Sequence, residues 1–499
     1  MNLDLATIVR ATGAEVWRQT PGGDVTHNSL HTVDLEREFS PVVVDSREVE
    51  PGGFFIALPG ERVHGEAFTD QAYEAGALGC MVAESSDPFA QLPREHASGS
   101  ARYAFQVPET LPALQSLAAE WRRVLRPTVI GVTGSVGKTT TKEIVAGVLA
   151  DSIPTFRSAA NRNTEIGLPL ELLQLRAWHQ VAVCEMGMYA AGDIALLANI
   201  AQPSIGIVTN VAPIHLGRVG TIERIARAKS ELVEALPSTG LAILNGDDPW
   251  TRAMAKTSGT ARVSLVGTSS ECDFRGENIR SLGLEGIALD VIAEHRRVSI
   301  TSPIPGLHTL HAVLAAVAVA RELEISWDQI TASLGTLRLD VRQRILRAGN
   351  LVLIDDAYNA SPLSVRASLD LLNECPGKKI AVLGDMLELG PAEQEAHQRV
   401  GERVAEVADW LIVRGERARW IAASAESHGF PADHVCRAES NSEAVNAVHR
   451  ILGRFVPPSP TGGAPRMQRP EAIEPWSILV KGSRGMGMEE VVQGLGDWR

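Results

Sequence analysis

Residues 132–141 read VTGSVGKTTT and continue an apolar run, TVIGV, that begins at residue 128. A β-branched run that feeds a glycine-rich turn and then a helix aims backbone N–H groups at a phosphate. Strand, turn and helix are also half of a crossover unit, so the surrounding chain is constrained to an α/β fold with a parallel sheet. The strict G-x-x-x-x-G-K-[ST] pattern fails, because Val132 occupies the first glycine position. What remains is T-G-x-x-G-K-[ST]. Gly134 and Gly137 permit the turn, Ser135 and Val136 lie within it, Lys138 is placed for the β/γ-phosphates, and the Thr139 hydroxyl can hold Mg²⁺, with Thr140 following. The spacing predicts ATP or GTP at this loop.

The alternation extends well beyond the loop. TVIGVTG, VAVCEMGM, SIGIVTN and LAILNGDD read as strands between helices, and LVLIDDAYN, KIAVLGD, WLIVRG and SILVKGS repeat the pattern near the end. Before residue 107, short strand-like runs (PVVVDSR, GGFFIALPG, LGCMVAE) surround one helical stretch. With 499 residues, a prior of about 150 per domain suggests three units. The expected division is a small α/β domain at 1–107, a P-loop parallel-sheet domain at 108–336 and a Rossmann-like domain at 337–499. The segment 259–303 reads as β-rich, HAVLAAVAVAREL as a buried helix, and the Pro/Gly-rich stretch 456–475 as a surface loop.

Composition narrows the partners. A net charge of −13 argues against a general nucleic-acid or anionic-membrane surface and in favour of small molecules. Five scattered cysteines form no C-x-x-C pair, which fits a reducing compartment and neither a disulfide framework nor a zinc site. The N-terminus lacks a signal-peptide layout and no apolar run reaches membrane-span length, so a cytoplasmic location is expected.

In open parallel sheets, ligands bind beyond the carboxyl ends of the strands. VAVCEMGM ends on Glu185 and SIGIVTN runs into a loop with His215, which brings a carboxylate and an imidazole to the P-loop edge. The next segment, TIERIARAKSELVEAL, is an amphipathic helix whose apolar face carries Lys229. An inward ammonium would repel Mg²⁺. A lysine of lowered pKa is a better nucleophile toward CO₂, and carbamylation would turn the cation into a hard anionic ligand.

These residues resemble the Mur ligases, three-domain ATP-dependent enzymes that form amide bonds in bacterial cell-wall synthesis. TGSVGKTTT, NRNTEIGLP, EMGM, NVAPIHLG and RAKSEL are similar to the central-domain motifs of that family, whose members carry a carbamylated lysine at the place of Lys229. DSREVEPGGFFIALPGERVHG is similar to a uridine-binding segment, with Ser46 and Arg47 in matching positions, although HGE at His64 to Glu66 replaces the usual D-G-H. DDAYNASP, LGDMLELG and KGSRGMGMEEVV are similar to the signatures of a dipeptide-adding member. The resemblance implies ligation of D-alanyl-D-alanine to UDP-N-acetylmuramoyl-tripeptide through an acyl phosphate. It implies two Mg²⁺ held by Thr139, Glu185, His215 and carbamylated Lys229, with Lys138 on the transferring phosphoryl group. Arg342, Asp356 and Asn359 would meet the nucleotide after hinge closure, and Asn161, Thr164, Lys481 and Arg484 would serve the substrate. A monomer is expected. The alternatives are a sister ligase adding a diamino acid to the dipeptide precursor, a folyl-polyglutamate-type ligase, and a P-loop binding module without ligase activity.

Overall fold

A computed structural model describes residues 3–28, 32–60, 63–84, 101–159, 161–213, 220–257, 259, 261–339, 343–455 and 474–496. His215, Arg342 and most of the 456–475 stretch lie outside the described residues. The architecture is α/β, with three principal sheets in three domains.

The central sheet has nine strands, in the order Thr155–Arg157, Val181–Glu185, Thr128–Thr133, Ile205–Val208, Leu241–Asn245, Arg262–Gly267, Phe274–Ser281, Ile287–Ala293 and Arg296–Ser302. The first seven run parallel, and the last two extend the edge as an antiparallel meander. The P-loop strand Thr128–Thr133 lies between Val181–Glu185 and Ile205–Val208, so Glu185 pairs in register with Val132, and Val208 with Thr133. Helix Lys138–Ala150 covers one face of this sheet together with Leu310–Glu322, which is buried continuously from Ala312 to Ala320. That continuous burial is why HAVLAAVAVAREL shows no polar stripe.

The N-terminal sheet has six strands and mixed direction, in the order Val25–His27, Glu15–Gln19, Arg102–Val107, Gly79–Ala83, Phe54–Ile56 and Val42–Val43. Helix Thr110–Leu125 leads out of it, and its apolar residues enter one hydrophobic cluster with residues on both sides of position 107. Leu5, Ile8 and Phe105 meet Leu114 and Leu117 there, while Trp121 reaches the central domain and donates its indole N–H to Leu175 O (3.2 Å). The helix thereby joins the first two domains through a shared core.

The C-terminal sheet runs Arg344–Ala348, Leu351–Asp356, Trp476–Lys481, Lys378–Gly384, Trp410–Arg414 and Val435–Ala438. All strands are parallel except the first, which forms a hairpin with the second. The four strands expected here are present. The two edge strands are additions, and Arg344–Ala348 lacks an apolar signature because only two of its five residues are even partly buried. The turn at 282–286 of the central domain packs Leu284 against the C-terminal core, with Arg347 paired to Glu285 (2.8 Å) and the Ser281 hydroxyl donating to Glu374. Among the described residues, no helix is long and apolar enough to cross a membrane, and the five cysteines are free.

Leu314 is fully buried in helix Leu310–Glu322. Leu314→Ala is expected to cost about 2–5 kcal/mol of stability, measured by urea unfolding, because the close-packed layer cannot collapse into the space left.

Candidate active site

Gly134 sits at the end of the P-loop strand with φ of 149°, and a Cβ there would lie 1.8 Å from the Thr209 hydroxyl oxygen. No side chain fits, so glycine is required by the close approach of the neighbouring strand end. Gly137 opens the helix at φ of 84°. Between them the loop is bound to residues 209–212. The Thr209 hydroxyl and the Asn210 side-chain N–H both donate to Val136 O (2.7 and 2.9 Å), and the Ser135 hydroxyl accepts from Ala212 N–H (2.9 Å).

The N–H groups of Ser135 and Val136 are engaged by Asn210, at its backbone O and Oδ1 (each 2.9 Å). The next N–H groups, from Gly137 to Thr140, precede the first bond of the helix ladder, Thr141 N–H to Gly137 O (2.8 Å). Lys138 folds over its own loop and donates to Gly134 O (2.9 Å) and Ser135 O (3.3 Å).

Glu185, only 1% exposed, lies beside the start of this helix. It accepts from the Thr139 hydroxyl (2.8 Å) and from the Asn163 side-chain N–H (2.7 Å). Its backbone N–H donates to the Ser158 hydroxyl (3.1 Å), and the buried Lys142 ammonium donates to Ser158 O (2.5 Å) and pairs with Glu143 (2.9 Å). Glu171 supports the same loop by accepting from Ala159 N–H (2.6 Å). Sequence reading missed Asn163, Ser158 and Lys142. Asn163 lies inside the NRNTEIG motif, which points to Asn161 and Thr164 equally well. The structure places Asn161 on the surface at φ of 68°, and the Thr164 hydroxyl accepts from Gly167 N–H (3.2 Å) at the start of the next helix.

Lys229 is 2% exposed on the inward face of helix Ile222–Glu234, which is capped by the Thr221 hydroxyl. Burial pushes its ammonium well below the usual lysine range, and the nearby positive charge of Lys138 pushes in the same direction. It makes no hydrogen bond among the described residues. The amphipathic periodicity thus has one buried amine in it, near enough to the P-loop lysine to feel its charge.

Asp356, Asn359 and Lys481 gather within the C-terminal domain. The buried Lys481 ammonium donates to Asp356 Oδ2 (2.5 Å) and Asn359 O (3.0 Å), and the Ser368 hydroxyl also donates to Asp356 (2.6 Å). Arg484 donates to the Tyr358 hydroxyl (2.7 Å) and lies over its ring. In the N-terminal domain, the Ser46 hydroxyl donates to Gln71 (3.0 Å), and exposed Arg47 clasps Asp45, whose carboxyl it holds down at about 2. Glu66 accepts from Ala83 N–H (3.0 Å). The structure therefore unites Lys138, Thr139, Glu185 and Lys229 around the P-loop. It leaves the C-terminal set bonded within its own domain and Ser46 and Arg47 bonded within theirs.

Three protein-family models match: "Mur ligase family, catalytic domain" over residues 38–121, "Mur ligase middle domain" over 132–320, and "Mur ligase, glutamate ligase domain" over 337–454. A relative from Bacillus subtilis, named UDP-N-acetylmuramoyl-tripeptide–D-alanyl-D-alanine ligase, is 33% identical and aligns over 91% of this chain and 92% of its own. A crystal structure of MurF from Acinetobacter baumannii superposes with a TM-score of 0.83 at 26% identity, covering 100% of this chain and 99% of that one. The MurF ligase from Thermotoga maritima in complex with ADP gives 0.74 at 27% identity, covering 91% and 97%. With the P-loop, its buried carboxylate and the buried lysine on the same three-domain frame, the chain belongs to the Mur ligase family.

Proposed function

We propose that this chain uses ATP to join D-alanyl-D-alanine to UDP-N-acetylmuramoyl-tripeptide, giving the UDP-linked pentapeptide precursor of peptidoglycan, ADP and phosphate. The observation that carries the reading is the alignment over nine-tenths of both chains with a relative named for those two substrates. The ADP complex of the Thermotoga structure supports the nucleotide. The proposed domain limits are 1–107, 108–336 and 337–499, in a cytoplasmic monomer.

A peptide carboxylate is a poor acyl donor because its leaving group would be oxide. Transfer of the γ-phosphoryl group to that carboxylate makes an acyl phosphate, and the dipeptide amine then displaces phosphate. Lys138 moves from the loop carbonyls to the transferring group, where a fixed positive charge stabilises the developing negative charge. Gly137 to Thr140 receive the phosphates on their N–H groups. Ser46, Arg47, Asn161, Thr164, Lys481 and Arg484 are assigned to the UDP-peptide.

The donor set fits Mg²⁺. Among the described residues Glu185 is a buried carboxylate whose side-chain partners are a hydroxyl and an amide, with no cation. A buried charge without an opposite charge is costly, and a divalent ion would supply one. No group of three or more His, Cys, Asp or Glu side chains forms a metal site among the described residues, so further hard ligands must come from elsewhere. Thr139, Glu185, His215 and a carbamate on Lys229 would hold two ions. When bound, they would neutralise the phosphate and carboxylate charges that meet there. Burial lowers the Lys229 pKa and so favours the neutral amine, the form that takes up CO₂.

Arg342, Asp356 and Asn359 reach the nucleotide when the C-terminal domain closes over the P-loop, which also excludes water from the hydrolysis-prone acyl phosphate.

A coupled phosphate-release assay across UDP-muramoyl peptides and amine acceptors is expected to show release only with tripeptide precursor and D-alanyl-D-alanine together. Release with a free diamino acid and dipeptide precursor, and none with the dipeptide acceptor, would reassign the enzyme to the sister reaction. Lys138→Ala is expected to lower turnover roughly 10²–10³-fold with an unchanged melting midpoint, because it removes one stabilising charge from a preorganised site.

A further inference from the structure

We propose that Thr133 is a positioning residue for Lys229, its hydroxyl donating a hydrogen bond to the carbamate formed on that lysine. The proposal rests on the carbamate reading above and names the group that would make the modification persist.

Thr133 is fully buried, and its hydroxyl oxygen has no hydrogen-bond partner among the described residues. An unpaired buried hydroxyl is costly and uncommon, and it calls for an explanation. Side chains alternate along a strand, so Val129, Gly131 and Thr133 share one face. That face carries helix Ile222–Glu234, because a Cβ on Gly131 would lie 2.9 Å from Leu232 Cδ1. The helix connects parallel strands Ile205–Val208 and Leu241–Asn245, so it runs back against their direction. Going from Gly131 to Thr133 rises about 6.6 Å toward the carboxyl edge of the sheet. Going from Leu232 back to Lys229 rises about 4.5 Å toward the same edge. Val208, the register partner of Thr133, packs in one apolar cluster with Ile225, a turn beyond Lys229. Thr133 and Lys229 thus lie in one layer, on facing elements.

The bare amine does not satisfy the hydroxyl in this structure. Carbamylation changes what the lysine presents. The neutral Nζ lone pair attacks the carbon of CO₂, an N–C bond forms, the displaced π pair goes to oxygen, and one proton leaves nitrogen for solvent. The side chain is then longer by a carboxylate, an acceptor able to meet a donor that lacks a partner beforehand. Hydrogen bonds to a charged acceptor are the stronger kind, and burial raises their value further.

The test uses the full chain equilibrated with ¹³C-bicarbonate, with the carbamate resonance integrated by ¹³C NMR against protein concentration and Lys229→Ala identifying the signal. Thr133→Val keeps the shape and removes the hydroxyl. It is expected to raise the bicarbonate concentration for half-occupancy by at least roughly tenfold, and Thr133→Ser is expected to restore occupancy to near the parent value. In CO₂-depleted buffer the melting midpoint of Thr133→Val should equal or exceed that of the parent, since a hydroxyl without a partner has been removed. A hydroxyl with an ordinary structural role would instead lower it. Equal half-occupancy concentrations in the parent and Thr133→Val would overturn the proposal while leaving the carbamate reading intact. No carbamate signal in the parent would overturn both.

Discussion

The approach of Gly134 to Thr209 is the constraint on which the rest of the site depends. Two parallel strands end side by side, and the absent side chain at 134 lets the turn after one strand lie against the residue that follows the other. From that contact follow the bonds of Val136 and Ser135 to residues 209–212, and the positive φ at Gly137 from which the helix starts. The helix N-terminus is then held relative to the strand ends, so Thr139 meets Glu185 and Lys138 lies near Lys229. A phosphate site made this way is preorganised by backbone packing rather than by flexible side chains.

Around that frame, charges are arranged with little solvent to screen them. Lys142 is fully buried and is satisfied by Ser158 O and Glu143, and Ser158 in turn holds the backbone of Glu185. Glu185 has only neutral described partners, and Lys229 has burial and another lysine acting against its charge. One buried lysine is thus paired with a carboxylate, while the other has its pKa lowered by burial and by a neighbouring cation. The difference lies in the partners, since both are lysines on helices packed on the same sheet.

The C-terminal domain carries its own closed set. Lys481 neutralises Asp356 across two adjacent parallel strand ends, and Arg484 rests on Tyr358. In this arrangement the Asp356 carboxylate is occupied within its domain, so any contact it made with a ligand would require a change of partner. The Leu284 contact and the Arg347–Glu285 pair link the two domains through the turn at 282–286.

Much of the fold was legible because its signals are local. β-branched runs ending in glycine marked the central and C-terminal parallel strands, and Ile225, Leu232 and Val233 marked the inward face on which Lys229 stands out. Edge strands such as Arg344–Ala348 were not legible, since a half-exposed strand needs no apolar pattern and is defined by its neighbour's hydrogen bonds. Within the site, motif spacing located the loop but could not choose between Asn161 and Asn163, which differ by two residues and of which Asn161 is exposed while Asn163 bonds Glu185. By itself, then, the sequence determined the P-loop, the parallel alternation and the presence of a lysine on an apolar face, because each depends on residues within a few positions of one another. Only the tertiary structure decided that Asn210 takes the N–H groups of Ser135 and Val136, that Lys481 reaches Asp356 125 positions away, and that the Thr133 hydroxyl is buried without a partner among the described residues. Those outcomes depend on how strands from distant parts of the chain are ordered and registered, and spacing along the chain carries no information about that.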